Sequence, residues 1–225
     1  MIFNHKPIQF EELETVTING KRHYVTPEGK KYPSITSVLS ILSKQSIMEW
    51  RKRVGEEEAN KISTKAARRG TKIHAMCEDY LNNELDEKKF MPSEREMFST
   101  LRPILDKNIN NIYAQEIPLY SDYLKVAGRV DCIAEFNGVL SVIDFKTSKR
   151  LKNKENISNY FQQTAAYAVM FEERTKIPVS QIVVIIAVDD EEEPQVFVEK
   201  RDNYIWHCID TISLYNGDRS NEISN

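Results

Sequence analysis

The sequence predicts an α/β fold in which a mixed β-sheet is flanked by helices and preceded by a helical N-terminal part. Three observations predict it. Helical patterns dominate from Ser34 to Asn108. From about 112 to 147 the pattern becomes strand-like, interrupted by Asn137-Gly138. A helix over Ser158–Lys176 then leads into the β-branched run Ile182–Val188, as expected of a crossover into a strand buried on both faces. This divides the chain into a hairpin and helical part over 1–110 and a core over 111–225, read as one continuous unit.

Each element has its own signal. Val16 and Ile18 alternate before Asn19-Gly20, and His23, Tyr24 and Val25 follow, so residues 15–32 read as a β-hairpin. Pro33-Ser34 opens a helix around Ile35–Leu42, with Ser34 as its N-cap. Helical patterns continue over 46–53, 56–68, 70–83 and Ser93–Asn108. Strands follow at Ile112–Leu119, Lys125–Phe136 and Val139–Thr147. Lys149–Asn156 is a polar, basic loop. The helix after it has Phe161, Ala165, Ala168, Val169 and Phe171 at apolar positions. Gln195–Glu199 is a strand after an acidic turn, and Asn203–Tyr215 is a closing helix.

Composition narrows the function. No apolar run approaches the roughly 20 residues that span a bilayer, and the N-terminus has no apolar stretch of a secretory signal. A cytoplasmic setting, in a bacterium or a phage-infected host cell, is the expectation. Cys77, Cys132 and Cys208 form no CxxC pair, which argues against a zinc site, a disulfide framework or an iron–sulfur cluster. The net charge is −3, yet the distribution is uneven. Residues 44–72 hold nine Lys/Arg against four Glu, and 146–154 add five Lys/Arg with no acid. The offsetting acid is concentrated at Asp189–Glu193. Two basic runs flanking one candidate site suit a phosphate backbone.

That candidate site is a second hairpin. If Asn137-Gly138 forms a type I′ turn, Phe136 pairs with Val139. Counting outward places Asp131 opposite Asp144, and Arg129 opposite Lys146. Opposite residues share a face with Cβ atoms about 5 Å apart. Two carboxylates so close repel each other and call for a cation. Oxygen ligands at that spacing suit Mg²⁺ or Mn²⁺. A neighbouring lysine can orient or deprotonate a water and stabilise charge on a transferring phosphoryl group. Asp144-Phe145-Lys146 ends an apolar strand, unlike the acid–x–Lys triplets at Glu28, Asp86 and Glu87, which lie in polar contexts.

Four motifs in order resemble the PD-(D/E)XK nuclease superfamily, and within it the RecB-type exonucleases, in the branch of mitochondrial genome maintenance and phage exonucleases. They are Gly70-Thr-Lys-Ile-His74, Gly128-Arg-Val-Asp131, Asp144-Phe-Lys146 with Thr147-Ser148, and Gln163-Thr-Ala-Ala-Tyr167. The resemblance covers about Ser34 to Tyr215. It implies a restriction-endonuclease-like core and a catalytic set of Asp131, Asp144 and Lys146. It implies metal ligation by Asp131, Asp144, the Phe145 carbonyl and His74, with Glu116 as a further contact. It implies that Gln163 and Tyr167 touch DNA or organise the site. Many relatives have Glu where this chain has Asp144, and Asp is shorter. The iron–sulfur cluster of some RecB-type relatives needs four cysteines, one more than this chain has.

Around that site, Arg68, Arg69, Lys72, Arg129, Ser148, Lys149 and Arg150 are the candidates for holding DNA, and Trp50, Tyr32 and Tyr80 for stacking on bases. Gly70 shares a helix face with His74 and would permit close approach of the sheet or of DNA. The leading expectation is a Mg²⁺- or Mn²⁺-dependent exonuclease, with one or two ions, acting on free ends of single-stranded DNA. A structure-specific endonuclease and a binding module with an inactive site are the alternatives.

Overall fold

The Asn19-Gly20 turn forms as its residues demand, with both in the left-handed region (φ 50° and 71°). It joins β1 (Thr15–Ile18) to β2 (Lys21–Val25) in antiparallel register. The computed structural model describes residues 2–223, with side chains through Gly217. Within it the expected hairpin is a three-stranded sheet. A turn at Thr26–Lys30 brings back β3 (Lys31–Pro33) against β2.

α1 (Ile35–Leu39) is shorter than its pattern and runs on as a 3-10 turn over Ser40–Ser43. Ser34 makes no side-chain cap. Its hydroxyl is taken by Thr36 Oγ1 at 2.8 Å. α2 (Lys44–Val54) ends at Gly55. α3 (Glu56–Leu81) is one continuous helix of 26 residues where the pattern suggests two. Its first turn holds Glu56, Glu57 and Glu58, which favour a helix N-terminus. A single Gly70 costs about 1 kcal/mol, too little to break so long a helix. α4 (Pro92–Asn108) starts with proline at its first position, and Glu94 accepts the Met91 N–H at 2.8 Å.

The second sheet has the order β4 (Ile109–Ser121), β5 (Val126–Phe136), β6 (Val139–Ser148), β7 (Gln181–Val188), β8 (Gln195–Lys200). The first three strands form an antiparallel meander. α5 (Ser158–Thr175) then crosses over so that β7 runs parallel to β6, and β8 turns back antiparallel. α6 (Ile205–Ile223) closes the chain.

β7 shows why its sequence is β-branched throughout. Ile182, Val184, Ile186 and Val188 join one core with α1, α5 and α6. Val183, Ile185 and Ala187 join another with Ile73, Met76, Phe98 and Leu101 of α3 and α4. Burying a side chain of this size is worth about 1.5–3 kcal/mol, and no polar residue fits either face. The second core draws on both halves of the sequence, from Phe3 to Ala187, so α3 is held rigidly against the sheet. Among the described residues no helix is long and apolar enough to cross a membrane.

Candidate active site

The β5–β6 hairpin has the register that the Asn137-Gly138 turn dictates. Phe136 pairs with Val139, and the ladder continues to Cys132 with Ile143. It stops there, one step before Asp131 and Asp144. Asp131 turns its side chain to the neighbouring strand, and its Oδ2 accepts the Phe145 N–H at 2.8 Å. On the other side, β4 is irregular at the same level. Gln115 pairs with Cys132 and Ile117 with Val130, while Glu116 between them has φ 45°. A non-glycine residue in this conformation stores strain and marks a site where the backbone redirects a side chain.

The site gathers in two groups around this break. His74 of α3, Glu116 of β4 and Asp131 of β5 bring one ligand atom each within 4.8 Å of one another. His74 Nδ1 lies 3.4 Å from Asp131 Oδ2. Asp144 belongs to the second group. Its Oδ2 is 2.5 Å from Lys146 Nζ, and its Oδ1 accepts from Gln163 Nε2 of α5 at 3.0 Å. The sequence expectation of Asp131 and Asp144 as one facing pair is therefore refined, since each carboxylate has its own partners.

Burial sets the electrostatics. It pushes the Glu116 carboxyl up to about 7, with the Asp131 charge adding to it. Burial likewise pushes Asp144 up to about 6, against the pull of Lys146 and with the repulsion of Asp131. Asp131 is also buried, but His74, Lys146 and the Phe145 N–H together hold it below the ordinary range. His74 and Lys146 are each lowered by burial and raised more by the carboxylates, so both favour their charged forms. Three carboxylates thus share two cationic side chains.

The residues fit a divalent cation. Buried Asp144 Oδ2 has no aligned hydrogen-bond donor, despite its close ion pair with Lys146. Two carboxylates and an imidazole each aim one ligand atom at the same point. This oxygen-rich set suits Mg²⁺ or Mn²⁺.

The remaining expected residues divide. Tyr167 is 2% exposed and Gln163 9%, so neither offers DNA a surface. Both organise the site instead, the Gln163 amide 3.5 Å from the Tyr167 hydroxyl. Gly128 explains the glycine of its motif, because a Cβ there would lie 2.7 Å from the Tyr167 ring. Ser148 is also buried, with its hydroxyl on the Arg150 carbonyl at 2.6 Å. Arg129 does not face Lys146. It pairs with Glu12 at 2.6 Å and donates to the Glu116 carbonyl, bracing the irregular strand. Arg69 pairs with Asp189 at 2.6 Å. Arg68, Lys72, Lys149 and Arg150 are exposed.

Sequence reasoning missed Tyr160, whose ring lies 5.4 Å from Lys146 Nζ. Its position three residues before Gln163 on α5 was the available signal. It also missed Glu12 and Asp189, because a partner far away in sequence leaves no local pattern. The cysteines are buried and free.

The sequence pattern of the PD-(D/E)XK nuclease superfamily matches residues 44–205, well over half of the chain. The chain belongs to this superfamily. Its five-stranded mixed sheet flanked by helices is the restriction-endonuclease-like fold of that superfamily. The chain is also similar to human mitochondrial genome maintenance exonuclease 1, at 28% identity over 130 residues. The match covers 53% of this chain and 38% of that protein's length. The crystal structure of SSO0001 is similar over 75% of this chain and 70% of its own, at 16% identity and a TM-score of 0.38.

Proposed function

We propose that the protein is a metal-dependent DNA exonuclease that hydrolyses phosphodiester bonds from the free ends of single-stranded DNA. The observation that carries the nuclease reading is the convergence of His74, Glu116, Asp131, Asp144 and Lys146 at the break in the β-ladder, where buried carboxylates lack enough cations. The exonuclease reading is supported by the similarity to the human exonuclease.

Asp131, Asp144, Glu116 and His74 would hold Mg²⁺ or Mn²⁺, with the Phe145 carbonyl as a further ligand. When bound, such an ion supplies charge neutralisation at the phosphate and lowers the pKa of a coordinated water. Lys146, kept as an ammonium by Asp144 and Asp131, orients the attacking water and stabilises the developing phosphoryl charge. Gln163 fixes the rotamer of Asp144, and Tyr167 supports Gln163 from below. Arg68, Lys72, Lys149 and Arg150 hold the phosphate backbone without reading sequence.

End-labelled single- and double-stranded DNA, incubated with Mg²⁺, Mn²⁺ or EDTA, tests this reading. Degradation of linear single strands that EDTA abolishes is the expected result. Rapid nicking of a closed circle contradicts the exonuclease assignment, and undiminished cleavage in EDTA contradicts the metal.

A further inference from the structure

Three aromatic residues qualified by sequence as base-stacking platforms, and the fold consumes two of them. Tyr32 is 9% exposed and donates to Asp122 at 2.7 Å. Tyr80 donates to Asp106 at 2.7 Å and packs edge-on against Phe3 and Phe98. Trp50 remains, and its surroundings differ. It lies on α2, a helix of 11 residues that buries none of them.

An amphipathic helix ordinarily earns its place by burying its apolar stripe. α2 carries such a stripe in Ile47, Trp50 and Val54, at the spacing of one helix face. Trp50 and Val54 are only half-buried, Ile47 is 46% exposed, and Leu42 in the preceding turn is 48% exposed. The same helix presents exposed Lys44, Lys52 and Arg53, none of them in an ion pair among the described residues. Arg51 is engaged at the helix end by Glu56 and by Asn60 at 2.6 Å. A surface that interleaves unburied apolar groups with unpaired cations complements a ligand that interleaves flat apolar faces with anions. Unpaired nucleotides have that composition. A duplex does not, because its base faces are stacked inside.

α2 is also connected to the site. It is tied to the start of α3, and α3 runs from Glu56 to His74 in an unbroken helix, about 27 Å at 1.5 Å per residue. Exposed Lys65, Arg68 and Lys72 recur along it at helical spacing.

We infer that α2 is a docking surface for single-stranded nucleic acid, with Trp50 and Ile47 stacking against bases and Lys44 and Arg53 meeting phosphates. The inference rests on the reading above that the site acts on a DNA strand. It assigns to α2 the preference for unpaired nucleotides, upstream of the residues that cut.

Trp50 and Trp206 are the chain's two tryptophans, so W206F leaves Trp50 as the only indole reporter. Binding is measured in EDTA with an oligothymidylate of about 20 nucleotides and with an abasic strand of the same length. The thymidylate strand is expected to quench Trp50 emission and the abasic strand to leave it unchanged. In the otherwise parental protein, W50A should weaken thymidylate binding at least about fivefold and abasic binding by less than about twofold. Lost phosphate contacts or a damaged helix would weaken both strands alike, and that result overturns the inference. So does an unquenched Trp50 in a complex that forms, or a dimer of the parental protein that W50A splits in light scattering. Cleavage of a thymidine dinucleotide, too short to span α2 and the site, separates the two readings. W50A should cleave it at the parental rate, whereas a parental protein that cleaves no DNA of any length defeats the nuclease reading and leaves the fluorescence result to decide the docking surface.

Discussion

Asp122 and Asp144 are the same residue type in opposite circumstances. Asp122, in the turn between β4 and β5, accepts hydrogen bonds from Lys30 at 2.7 Å, Tyr32 at 2.7 Å and Arg174 at 3.2 Å. Those donors, Lys30 foremost, hold its carboxyl down at about 2. Asp144 is buried, has one aligned donor in Gln163 and the Lys146 ammonium 2.5 Å away, and burial still pushes it up to about 6. Donors are in surplus at Asp122, which joins the small sheet to α5. Charge is in deficit at Asp144, where a polar side chain is retained at a cost to stability. A satisfied carboxylate holds the fold together, and an unsatisfied one is kept for chemistry.

The largest effect that follows from this contrast is on rate. D144N keeps the shape and the Gln163 contact but removes the charge. It should lower DNA hydrolysis at least about a hundredfold, with an unchanged or raised melting temperature because a charge no longer has to be buried, which outweighs the lost attraction to Lys146. D122N should do the reverse, losing stability and keeping activity per folded molecule. Rates and thermal melts of the two variants, measured side by side, decide the matter. A D144N protein that still degrades DNA at the parental rate would falsify the site assignment.

The next effect is stabilisation by the ion itself. Mg²⁺ or Mn²⁺ at a hundredfold excess over its dissociation constant stabilises the folded state by about 2.7 kcal/mol. For a chain of this size that corresponds to a rise in melting temperature of roughly 5–10 °C. D122N should keep the rise and D131N should lose it. A rise that survives D131N places the ion elsewhere.

Asp122 gives the third effect. Losing its hydrogen bonds to charged partners should cost about 1–2 kcal/mol, at the low end of the usual range because the group is half-exposed. Its pKa is lowered by folding, so the contribution is present above the unfolded value of about 3.9 and fades as pH falls through about 2. Parental protein and D122N should therefore converge in stability between about pH 4 and pH 2. A constant gap across that window would mean that the residue acts through packing rather than charge.

Much of the fold and half of the site were legible in the sequence, for local reasons. Asn137-Gly138 fixed the register of the hairpin, and the β-branched residues of β7 marked a strand covered on both faces. Gln163 and Tyr167 share a helix face by simple spacing. The parts that escaped depend on distant partners or on backbone irregularity. The ladder stops at Cys132 because the Asp131 carboxylate replaces a backbone partner, and Glu116 turns inward through a strained φ. Neither is encoded in periodicity. Arg69 and Arg129 read as free cations until tertiary structure brings Asp189 and Glu12 to them. Tyr32 and Tyr80 read as available aromatics, but packing is a property of the whole fold.

Gly70 and Gly128 take the comparison down to its smallest effect. Both glycines belong to motifs of the site, and the sequence suggested close approach at Gly70. At Gly128 the approach is real, because a Cβ would meet the Tyr167 ring and hydroxyl at 2.7 and 2.8 Å, and both lie in a packed core. At Gly70 a Cβ would meet only Thr147 Oγ1, at 3.9 Å, an ordinary contact. The sheet therefore does not require a glycine at position 70, and alanine there removes a helix-interior penalty. G70A should be more stable by up to about 1 kcal/mol and hydrolyse DNA at the parental rate. Denaturant unfolding and the end-labelled digestion measure both. If stability rises while hydrolysis falls, then the space beside His74 is reserved for the DNA strand. Gly70 would then join Asp144 as a residue kept for chemistry at the expense of the fold.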